Sequence, residues 1–305
     1  MTRLALIANP TSGRGRGARL VPEADALLRG QGVETVVLWS VDADDVERLA
    51  REVVGGGHGR VDAVVACGGD GTVHRVLQAL SGTGMPMGIL PVGTGDDNAR
   101  NHGIPIDDLP GAVQVLARGQ VRPVDAVQVT CGDGTQRWFL AVLSTGFDSN
   151  VNERANRMSW PTGQSRYTVA MLRELGSFDA VAYRVDVDGV EHTGRGMLLS
   201  VGNGPGYGGG MLICPSARVD DGLLHLTWLA DVSKPTFLRA FPRVFKGTHV
   251  DLPYVTVLQG RRITVAAEGQ IAYADGERVG PLPVEVQIMP GALRMLTSAG
   301  TAQAT

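Results

Sequence analysis

Short apolar runs alternate with amphipathic stretches along the first 125 residues of the chain. The apolar runs end in turns rich in Gly, Pro or Asp, which is typical of strands that alternate with helices. The predicted strands are Leu4–Ala8, Thr35–Leu38, Ala63–Cys67 and Met87–Pro91, and the predicted helices are Ala18–Arg29, Asp44–Val54, Val73–Leu80 and Leu109–Ala117. The alternation predicts an α/β domain with a parallel sheet over residues 1–125.

The pattern changes after Asp125 to β-like runs that are separated by Gly-rich turns. The predicted strands are Ala126–Thr130, Trp138–Ser144, Tyr183–Val187, Met197–Val201, Leu223–Leu229 and Arg262–Ala267, with helices at Tyr167–Leu175 and Thr236–Phe245. This texture predicts a β-rich sandwich domain over residues 126–297. Residues 298–305 are small and polar, and they are expected to form a flexible tail.

The composition and net charge of the chain limit which classes of molecule it is expected to bind. A chain of 305 residues that is 43% hydrophobic can form two domains. Its net charge of -3 and pI of about 6.1 give no overall basic field, so nucleic acid is not an expected partner and any membrane contact must be local. The sequence has no CxxC pair, no signal-peptide pattern and no apolar run of ~18 residues. We expect a cytoplasmic protein that meets membranes peripherally.

The strongest local signal is a strand followed by Gly68–Thr72 (GGDGT) and then a helix. Glycines let backbone amides approach an anion, and the helix N-terminus adds a favourable partial charge. The structural alternative is a tight turn with Thr72 as the helix N-cap. Asp70 would repel a bare phosphate, so it indicates that a cation or a nucleotide hydroxyl is bound there as well.

Two further loops follow predicted strands. Asn9–Gly17 (NPTSGRGRG) adds Arg14 and Arg16, whose guanidinium groups can bind phosphate oxygens. Gly88–Arg100 (GILPVGTGDDNAR) brings a Gly-Thr-Gly turn followed by Asp96, for which an N-capped acidic turn is the structural alternative. Because the carboxyl ends of parallel strands meet at one edge of a sheet, the three loops together predict a triphosphate site.

The first loop also supports a different function. Gly13, Gly15 and Ala18 satisfy the GxGxxA form of the dinucleotide fingerprint, and Asp42 is placed to bind a ribose. On that interpretation the chain is an NAD(P)-linked enzyme. The interpretation leaves the other two loops unexplained, and the sequence contains no GxxxxGK[ST] loop of the ordinary nucleotide triphosphatases.

Six segments in order resemble the diacylglycerol kinase catalytic domain family, which includes bacterial lipid kinases, sphingosine kinases and ceramide kinases. They are Asn9–Gly13, Gly68–Thr72, Gly93–Arg100, Gly146–Asp148, Gly208–Leu223 (GGGMLICPSARVDDGL) and Asp275–Glu277 (DGE). The resemblance implies an NAD kinase-like and diacylglycerol kinase-like α/β nucleotide domain, followed by a β-rich C-terminal domain. It also implies transfer of the γ-phosphate of ATP to a lipid hydroxyl, first of all that of diacylglycerol, to give phosphatidic acid.

The resemblance also implies roles for individual residues. ATP would be bound by Asn9, Pro10, Ser12, Gly13, Gly68, Gly69, Asp70, Gly71, Thr72, Gly93, Thr94, Gly95 and Asp125. Asp275 is the candidate general base, Glu277 is its partner or a metal contact, and Asp97 is the substitute candidate. For Asp275 the alternative is a plain Asp-Gly type I′ turn. A structural Mg²⁺ would be held by the Asp221 side chain and by the carbonyls of Arg218 and Leu223.

The chain departs from the family pattern in the third loop. The family has Asn-Asp-Phe where this chain has Asp96, Asp97 and Asn98, which adds a negative charge and removes an aromatic ring. An inactive nucleotide-binding homologue and an NAD kinase-like enzyme therefore remain alternatives, and a homodimer is left open.

The second predicted helix of the β-rich half raises the question of membrane contact. Phe237, Phe241 and Phe245 recur at a spacing of four residues, with basic residues around them. Such a stripe either faces the core, which is the more common arrangement, or meets a membrane.

Overall fold

The computed structural model describes residues 2–158, 160 and 164–298, so the predicted tail lies outside the described residues from residue 299 onward. The chain divides into two compact units. The first contains the residues up to Ala126, Val219–Asp221 and the segment from Met289 onward, and the second contains Val127–Arg218 and Gly222–Ile288.

The first unit is an α/β domain in which strands and helices alternate. Its strands are β1 (Arg3–Ala8), β2 (Glu34–Trp39), β3 (Ala63–Gly68) and β4 (Pro86–Pro91), and its helices are α1 (Ser12–Gly30), α2 (Ala43–Val54), α3 (Asp70–Leu80), α4 (Asp97–Asn101) and α5 (Leu109–Arg118). The strands lie in the order β2-β1-β3-β4 and all pair in parallel. The predicted parallel sheet is confirmed, with strand ends that differ by one residue.

The central strands of this sheet are apolar throughout because helices cover both faces. Every side chain of Leu4–Ala8 in β1 and of Ala63–Cys67 in β3 is fully buried. The amphipathic helices supply the covering residues, such as Leu28 of α1 and Leu77 of α3, which are also fully buried. The sheet therefore holds its carboxyl-end loops on a rigid base.

The second unit is β-rich. From the connecting strand β5 (Val121–Cys131) onward, the elements are β6 (Gln136–Phe139), β7 (Val142–Gly146), α6 (Phe147–Arg157), α7 (Gln164–Ser177), β8 (Val181–Val187), β9 (Val190–Gly202), β10 (Leu224–Ala230), α8 (Lys234–Val244), β11 (Val255–Gly260), β12 (Arg262–Ala266), β13 (Ile271–Ala274), β14 (Glu277–Pro281) and β15 (Val284–Leu296). The strands from β7 to β14 pair antiparallel, with β9 as the central strand between β8, β7 and β10. This confirms the predicted β-rich sandwich.

Successive side chains of the antiparallel strand β9 point alternately into two apolar cores. Leu199 and Val201 of β9 belong to a cluster formed by strand residues, whereas Leu198 belongs to a cluster that includes the helices. Phe147 of α6 is central to the helical cluster, since its ring packs edge-to-face on Phe178 at 5.5 Å and Phe237 at 4.8 Å between ring centroids. The helices thus close one face of the sheet.

Several features differ from the sequence-based expectations, among them α4, β11, β13, β14 and β15, which were not among the predicted elements. The predicted strand Trp138–Ser144 is interrupted and forms β6 and β7. Helix α6 was not predicted, because its sequence FDSNVNERANR is too polar to show an apolar stripe. The segment from Met289 onward, which the proposed division at residues 125/126 gave to the second domain, belongs to the first compact unit. The physical reason is that the end of β15 pairs in parallel with β4, Arg294 opposite Pro86.

Candidate active site

The three glycine loops of the first unit are joined by backbone contacts. The amide of Asn9 donates to the carbonyl of Cys67 (3.1 Å), and the amide of Val92 donates to the carbonyl of Gly68 (3.2 Å). The side chain of Arg16 reaches from the first loop to the third, where Nη1 donates to the carbonyl of Gly93 (3.3 Å). The sheet edge therefore brings the predicted loops together.

Glycine is required at these contacts because the backbones touch. A Cβ on Gly93 would lie 2.5 Å from the Gly69 Cα atom and 2.5 Å from Oδ1 of Asp96. A Cβ on Gly13 would lie 2.1 Å from the carbonyl oxygen of Val92, and Gly13 also has a φ of +59°. Both separations are shorter than any real contact of a Cβ atom, so a side chain at either position would push the loops apart.

The first loop has an irregular backbone before α1 becomes regular. Gly13, Arg14 and Gly15 have φ values of 59°, 60° and 90°, a left-handed conformation that glycine adopts without strain. The side chain of Asn9 stabilises the start of the loop, since its Oδ1 accepts from the amide (3.0 Å) and hydroxyl (2.8 Å) of Thr11. Arg14 is exposed at the loop tip.

Predicted loop residues Pro10, Ser12 and Thr72 contribute through the backbone and through packing. The carbonyl of Pro10 accepts from the amide of Ala18 (3.3 Å), and the amide of Ser12 donates to the carbonyl of Asn9 (3.3 Å). Thr72 is not the N-cap of α3, which is Gly69. Its buried side chain instead fills the space beside Gly68, where a Cβ would lie 2.1 Å from Oγ1 of Thr72.

Asp70 links the second loop to the third. Its Oδ2 accepts from the amide of Asp97 (3.2 Å), and its Oδ1 accepts from the amide (2.9 Å) and side-chain nitrogen (3.3 Å) of Asn98. These amides lie at the N-terminus of α4, where they have no partner within the helix. Asp70 therefore caps α4 from outside. Asp42, the ribose candidate of the alternative interpretation, caps α2 by accepting from the amide of Asp45 (2.8 Å).

Several amides in this loop cluster have no acceptor within the part of the chain that the structure describes. They belong to Gly69, Asp70, Gly71, Thr94 and Gly95. The first three lie at the N-terminus of α3, where the helix dipole favours an anion. Amide donors of this kind from two adjoining loops fit the phosphate groups of a nucleotide.

Two buried carboxyl groups follow the Gly-Thr-Gly turn. Asp96 has a φ of 51° and its Oδ1 accepts from the amide of Gly93 (3.1 Å). Burial, and secondarily the charge of Asp70, raise the pKa of Asp96 to about 7, although the hydrogen bond from Gly93 opposes the shift. Asp97 is also buried, and its Oδ1 pairs with Nη1 of Arg100 at 2.5 Å.

Asp125 lies at the end of the first unit in sequence and is 4% exposed. Its amide donates to the carbonyl of Val219 (2.8 Å), and its Oδ1 accepts from the amide of Gly291 (2.9 Å). These contacts attach two distant segments of chain to the first unit. Asp125 thus has a structural role in addition to any role at the nucleotide.

Asp275 and Glu277 lie in the second unit, on the hairpin of β13 and β14. Asp275 and Gly276 have φ values of 51° and 83°, which are the signs that a type I′ turn requires. The buried carboxylate of Asp275 accepts from the amides of Leu140 (2.8 Å), Ala141 (2.9 Å) and Val142 (3.2 Å). The turn that was the structural alternative is present, and its carboxylate also fixes the break between β6 and β7.

An apolar cavity in the second unit contains a carboxyl group to which the sequence assigned no role. The cavity has a volume of about 40 Å³ and is partly open to solvent. Its lining residues are Asp148, Leu198, Tyr207, Met211, Ile213, Thr227, Leu229, Phe237, Ala240, Phe241, Val244, His249 and Val255. The carboxyl group of Asp148 has no hydrogen bond to another described residue, and burial raises its pKa to about 7. The Gly146–Asp148 match was the only signal for it.

His249 is the second polar group of this cavity. It is 4% exposed, and its Nε2 lies 3.1 Å from the carbonyl of Ile213. Nε2 must therefore carry the proton, so that Nδ1 is an acceptor, and no described group donates to it. Burial lowers the pKa of His249, which favours this neutral form.

The predicted Mg²⁺ ligands Arg218, Asp221 and Leu223 lie in the segment before β10, with Asp221 exposed. Among residues 2–158, 160 and 164–298, no group of three or more His, Cys, Asp or Glu side chains is arranged to hold a metal ion. The predicted site uses one carboxylate and two carbonyls, and it stays a prediction. A separate question is whether a helix crosses a membrane. None of the described helices combines the length and apolarity that crossing a bilayer requires.

Comparison with known proteins assigns the family. A model of the diacylglycerol kinase catalytic domain matches residues 3–129, and one of the YegS C-terminal NAD kinase beta sandwich-like domain matches residues 141–297. A diacylglycerol kinase of Mycobacterium tuberculosis (strain H37Rv) is 40% identical over 96% of this chain and 94% of its own length. The chain belongs to the family of diacylglycerol kinases and YegS-like lipid kinases.

A further family member agrees with this assignment, and solved structures share the fold. A "Probable lipid kinase YegS-like" of Pseudomonas aeruginosa (strain PAO1) is 31% identical over 95% of this chain and 93% of its own. A diacylglycerol kinase structure from Bacillus anthracis has a TM-score of 0.73 at 18% identity, covering 99% of this chain and 98% of that one. An NAD kinase from Archaeoglobus fulgidus in complex with ATP has a TM-score of 0.54 at 17% identity, covering 98% and 94%, and shares the fold. The resemblance is confirmed, and the chain is an enzyme of the lipid kinase class.

The buried carboxyl of Asp96 should make the stability of the protein depend on pH. Because its pKa is raised from 3.8 to about 7, its contribution to the free energy of unfolding is complete below about pH 4 and is lost as the pH rises through 7. Asp96→Asn keeps the acceptor for the Gly93 amide and tolerates a positive φ, but it cannot ionise. The Tm of the variant minus that of the wild type should therefore grow by roughly 2–5 °C between pH 5 and pH 8.

Asp107→Asn is the matched control for this measurement. Asp107 also has a positive φ of 55°, and its exposed carboxylate pairs with Arg16 at 2.9 Å. Thermal unfolding of both variants at both pH values separates burial from simple charge removal. The same pH slope in the two variants would contradict the assignment to the buried Asp96.

Proposed function

We propose that the chain transfers the γ-phosphate of ATP to the hydroxyl of a membrane lipid, with diacylglycerol as acceptor and phosphatidic acid as product. The observation that carries the proposal is the group of unpaired amides on the glycine loops, at Gly69–Gly71 and Thr94–Gly95. The relative that is 40% identical is itself named a diacylglycerol kinase. The departures at Asp96 and Asn98 leave this amide group intact.

The nucleotide end of the reaction is supplied by the first unit. Phosphoryl transfer needs little covalent help from a protein; it needs positioning and neutralisation of the phosphate charge. The amides of the second and third loops provide fixed donors, and the exposed Arg14 adds a cation at the tip of the first loop. Asp70 acts indirectly, because it holds the third loop and α4 in place through the amides of Asp97 and Asn98.

The acceptor end is supplied by the apolar cavity of the second unit. Its aliphatic and aromatic lining suits the apolar part of a lipid, while the Asp148 carboxyl and the Nδ1 atom of His249 are two polar groups of the lining that a hydroxyl could pair with. A buried polar group without a partner costs free energy until a ligand supplies one. A lipid alcohol would bring an apolar body and one hydroxyl, which is the combination that this lining favours.

Asp275 is proposed as the general base. In the balanced step, the lipid O–H bond breaks, its proton passes to the carboxylate of Asp275, the lipid oxygen bonds to the γ-phosphorus, and ADP leaves with the electrons of the broken P–O bond. The three amides from Leu140, Ala141 and Val142 fix the orientation of this carboxylate. Glu277, two residues along the same hairpin, is proposed as its partner.

A structural Mg²⁺ at the turn before β10 is part of the proposal. Asp221 would contribute a carboxylate oxygen, and Arg218 and Leu223 would contribute carbonyl oxygens. All three donors are oxygens, which is the ligand type that a hard divalent cation prefers. When bound, the ion would fix the turn electrostatically.

The decisive experiment for the function supplies purified protein with ATP and separate acceptors: diacylglycerol, a sphingoid base, ceramide and NAD. Product formation with diacylglycerol is the expected result. Gly69→Val should reduce it at limiting ATP by weakening ATP binding about tenfold or more, since a Cβ there would lie 3.2 Å from the Gly93 Cα atom and its methyl groups would cover the amides. Isothermal calorimetry measures the ATP affinity.

Gly30→Val is the matched control, because a Cβ at Gly30 meets no atom within 4 Å. It should leave ATP affinity unchanged. Phosphorylation of NAD and of no lipid would overturn the proposed acceptor, and unchanged ATP binding by Gly69→Val would overturn the loop assignment.

A second Asp-Gly turn in the chain serves as a control that separates the proposed catalytic role of Asp275 from its structural contacts. Asp275→Asn replaces two acceptor oxygens by one and adds N–H donors, so it weakens the three backbone contacts as well as removing the base. We expect kcat to fall by ~10²-fold or more, with ATP affinity retained. Steady-state kinetics and calorimetry provide both values.

Asp188→Asn is the control for the structural part of this effect. Asp188 and Gly189 have φ values of 51° and 90°, and the Asp188 carboxylate accepts from the amides of Arg261 (3.0 Å) and Arg262 (2.8 Å). Both variants should lower the Tm, but Asp188→Asn should retain turnover. Near-native kcat in Asp275→Asn would move the base to another carboxylate, with Asp97 first.

The proposed Mg²⁺ has a thermal signature that does not depend on turnover. Addition of Mg²⁺ to protein treated with EDTA should raise the Tm, because an ion that binds only the folded state stabilises it. Asp221→Ala should remove that rise, while Asp231→Ala, at an exposed carboxylate paired with Arg195, should keep it. A rise of equal size in Asp221→Ala would place the ion elsewhere.

A further inference from the structure

Helix α8 has two faces with different surroundings. Phe237, Ala240 and Val244 point inward, are at most 8% exposed and line the apolar cavity. Phe241 also lines the cavity and is partly buried. The expected stripe of Phe237, Phe241 and Phe245 therefore faces the core at its first two positions, and Phe245 alone is exposed, at 49%.

The outer face of α8 carries an apolar ridge that the stripe pattern did not reveal. Pro235, Leu238, Pro242 and Phe245 recur at intervals of three, four and three residues, which places them on one side of the helix. All four are exposed, and Leu238 is 47% exposed. Large apolar side chains that line up on the solvent side of a helix are unusual unless a partner covers them.

A row of cations runs beside this ridge. Arg239, Arg243 and Lys246 are exposed and follow one another at intervals of four and three residues. In the described part of the chain their side chains form no ion pair or hydrogen bond. Lys234 begins the helix and donates to the carbonyl of Gly176 at 2.5 Å. The sequence from Lys234 to Lys246 contains no Asp or Glu, so the local charge is positive although the whole chain carries -3.

We propose that the outer face of α8, made of the ridge Pro235, Leu238, Pro242 and Phe245 with the cations Arg239, Arg243 and Lys246, docks on the surface of an anionic lipid bilayer. An exposed apolar ridge flanked by Lys and Arg is the composition of helices that lie in the membrane interface. Unpaired cations complement anionic headgroups. An anionic bilayer offers apolar chains to the ridge and negatively charged headgroups to the cations.

Helix α8 lines the cavity with its inner face, so the proposed docking surface lies on the same helix as the proposed acceptor site. The ring of exposed Phe245 packs edge-to-face on that of Phe241 with 5.9 Å between centroids, and Phe241 lines the cavity. One helix thus presents its outer face to the lipid surface and its inner face to the proposed acceptor. The link between membrane docking and entry of the lipid acceptor into the cavity rests on the proposed function. The docking itself can be measured without that function.

Vesicle binding in the absence of ATP tests the docking surface. Wild-type protein should sediment with phosphatidylglycerol vesicles, less with phosphatidylcholine vesicles, and less at high salt because the charges are screened. Arg239→Glu combined with Arg243→Glu should weaken binding to the anionic vesicles by roughly tenfold to a hundredfold. Leu238→Ser should weaken it at both low and high salt.

Matched variants control for net charge and for loss of apolar surface. Arg118→Glu combined with Arg122→Glu changes the charge equally at exposed arginines of the first unit, and Val190→Ser removes a side chain that is 59% exposed. Both controls should bind as the wild type does. Weakening by the arginine control equal to that of the α8 pair, or wild-type binding by the α8 pair, would overturn the proposal.

Activity assays keep this proposal distinct from the proposed function. With dioctanoylglycerol supplied as monomers, the α8 variants should retain wild-type kcat/KM, while kcat/KM for long-chain diacylglycerol in anionic vesicles should fall in parallel with binding. Failure of the wild type to phosphorylate any lipid would refute the function and leave the vesicle result standing. If Leu238→Ser instead abolishes a concentration-dependent dimer in sedimentation velocity, and vesicle binding is unaffected, the ridge is an interface between copies of the chain.

Discussion

The loop cluster of the first unit depends on the contact between two glycine backbones, at Gly69 and Gly93. Their separation leaves no room for a Cβ atom on Gly93 and only a tight fit, at 3.2 Å from the Gly93 Cα atom, for one on Gly69, so the second and third loops can adjoin only while Gly93 lacks a side chain. Asp70 can then reach the amides of Asp97 and Asn98 and cap α4. The glycines are therefore needed first for loop packing, and the unpaired amides available to phosphate are a consequence of it.

The same contact explains how this chain accommodates its departures from the family pattern. Asp96 replaces an amide side chain, yet its Oδ1 still accepts from the amide of Gly93, which an Asn oxygen would do equally well. The added charge is reduced because burial raises the pKa of Asp96 to about 7. Asn98, in place of an aromatic residue, donates from its side chain to Asp70, so a hydrogen bond replaces apolar packing in this loop.

Sequence patterns predicted the parts of the molecule that repeat simple rules. The strands of the first unit are continuous apolar runs such as Ala63–Cys67, whose period and length leave little ambiguity. Helix α6 could not be predicted because its buried residues, Phe147 and Ala155 among them, are too few to make a stripe. The sequence could not show whether the carboxylate of an Asp-Gly turn has a structural or a catalytic role. The Asp-Gly pairs at Asp188 and Asp275 have the same turn geometry, and only the tertiary contacts of each distinguish them.

Helix α8 shows why periodicity alone cannot identify a surface. A stripe of aromatic residues at a spacing of four predicts one apolar face, but the helix has apolar residues on two sides, Phe237 and Val244 inside and Leu238 and Phe245 outside. Burial by the rest of the fold, which no local pattern contains, separates the core-facing residues from the exposed ones. The exposed apolar residues lie beside cations without acidic neighbours on the helix, whereas the buried ones line a cavity. A lipid kinase must bind an amphiphile whose headgroup region is polar and whose chains are not, and this helix provides both environments within about three turns.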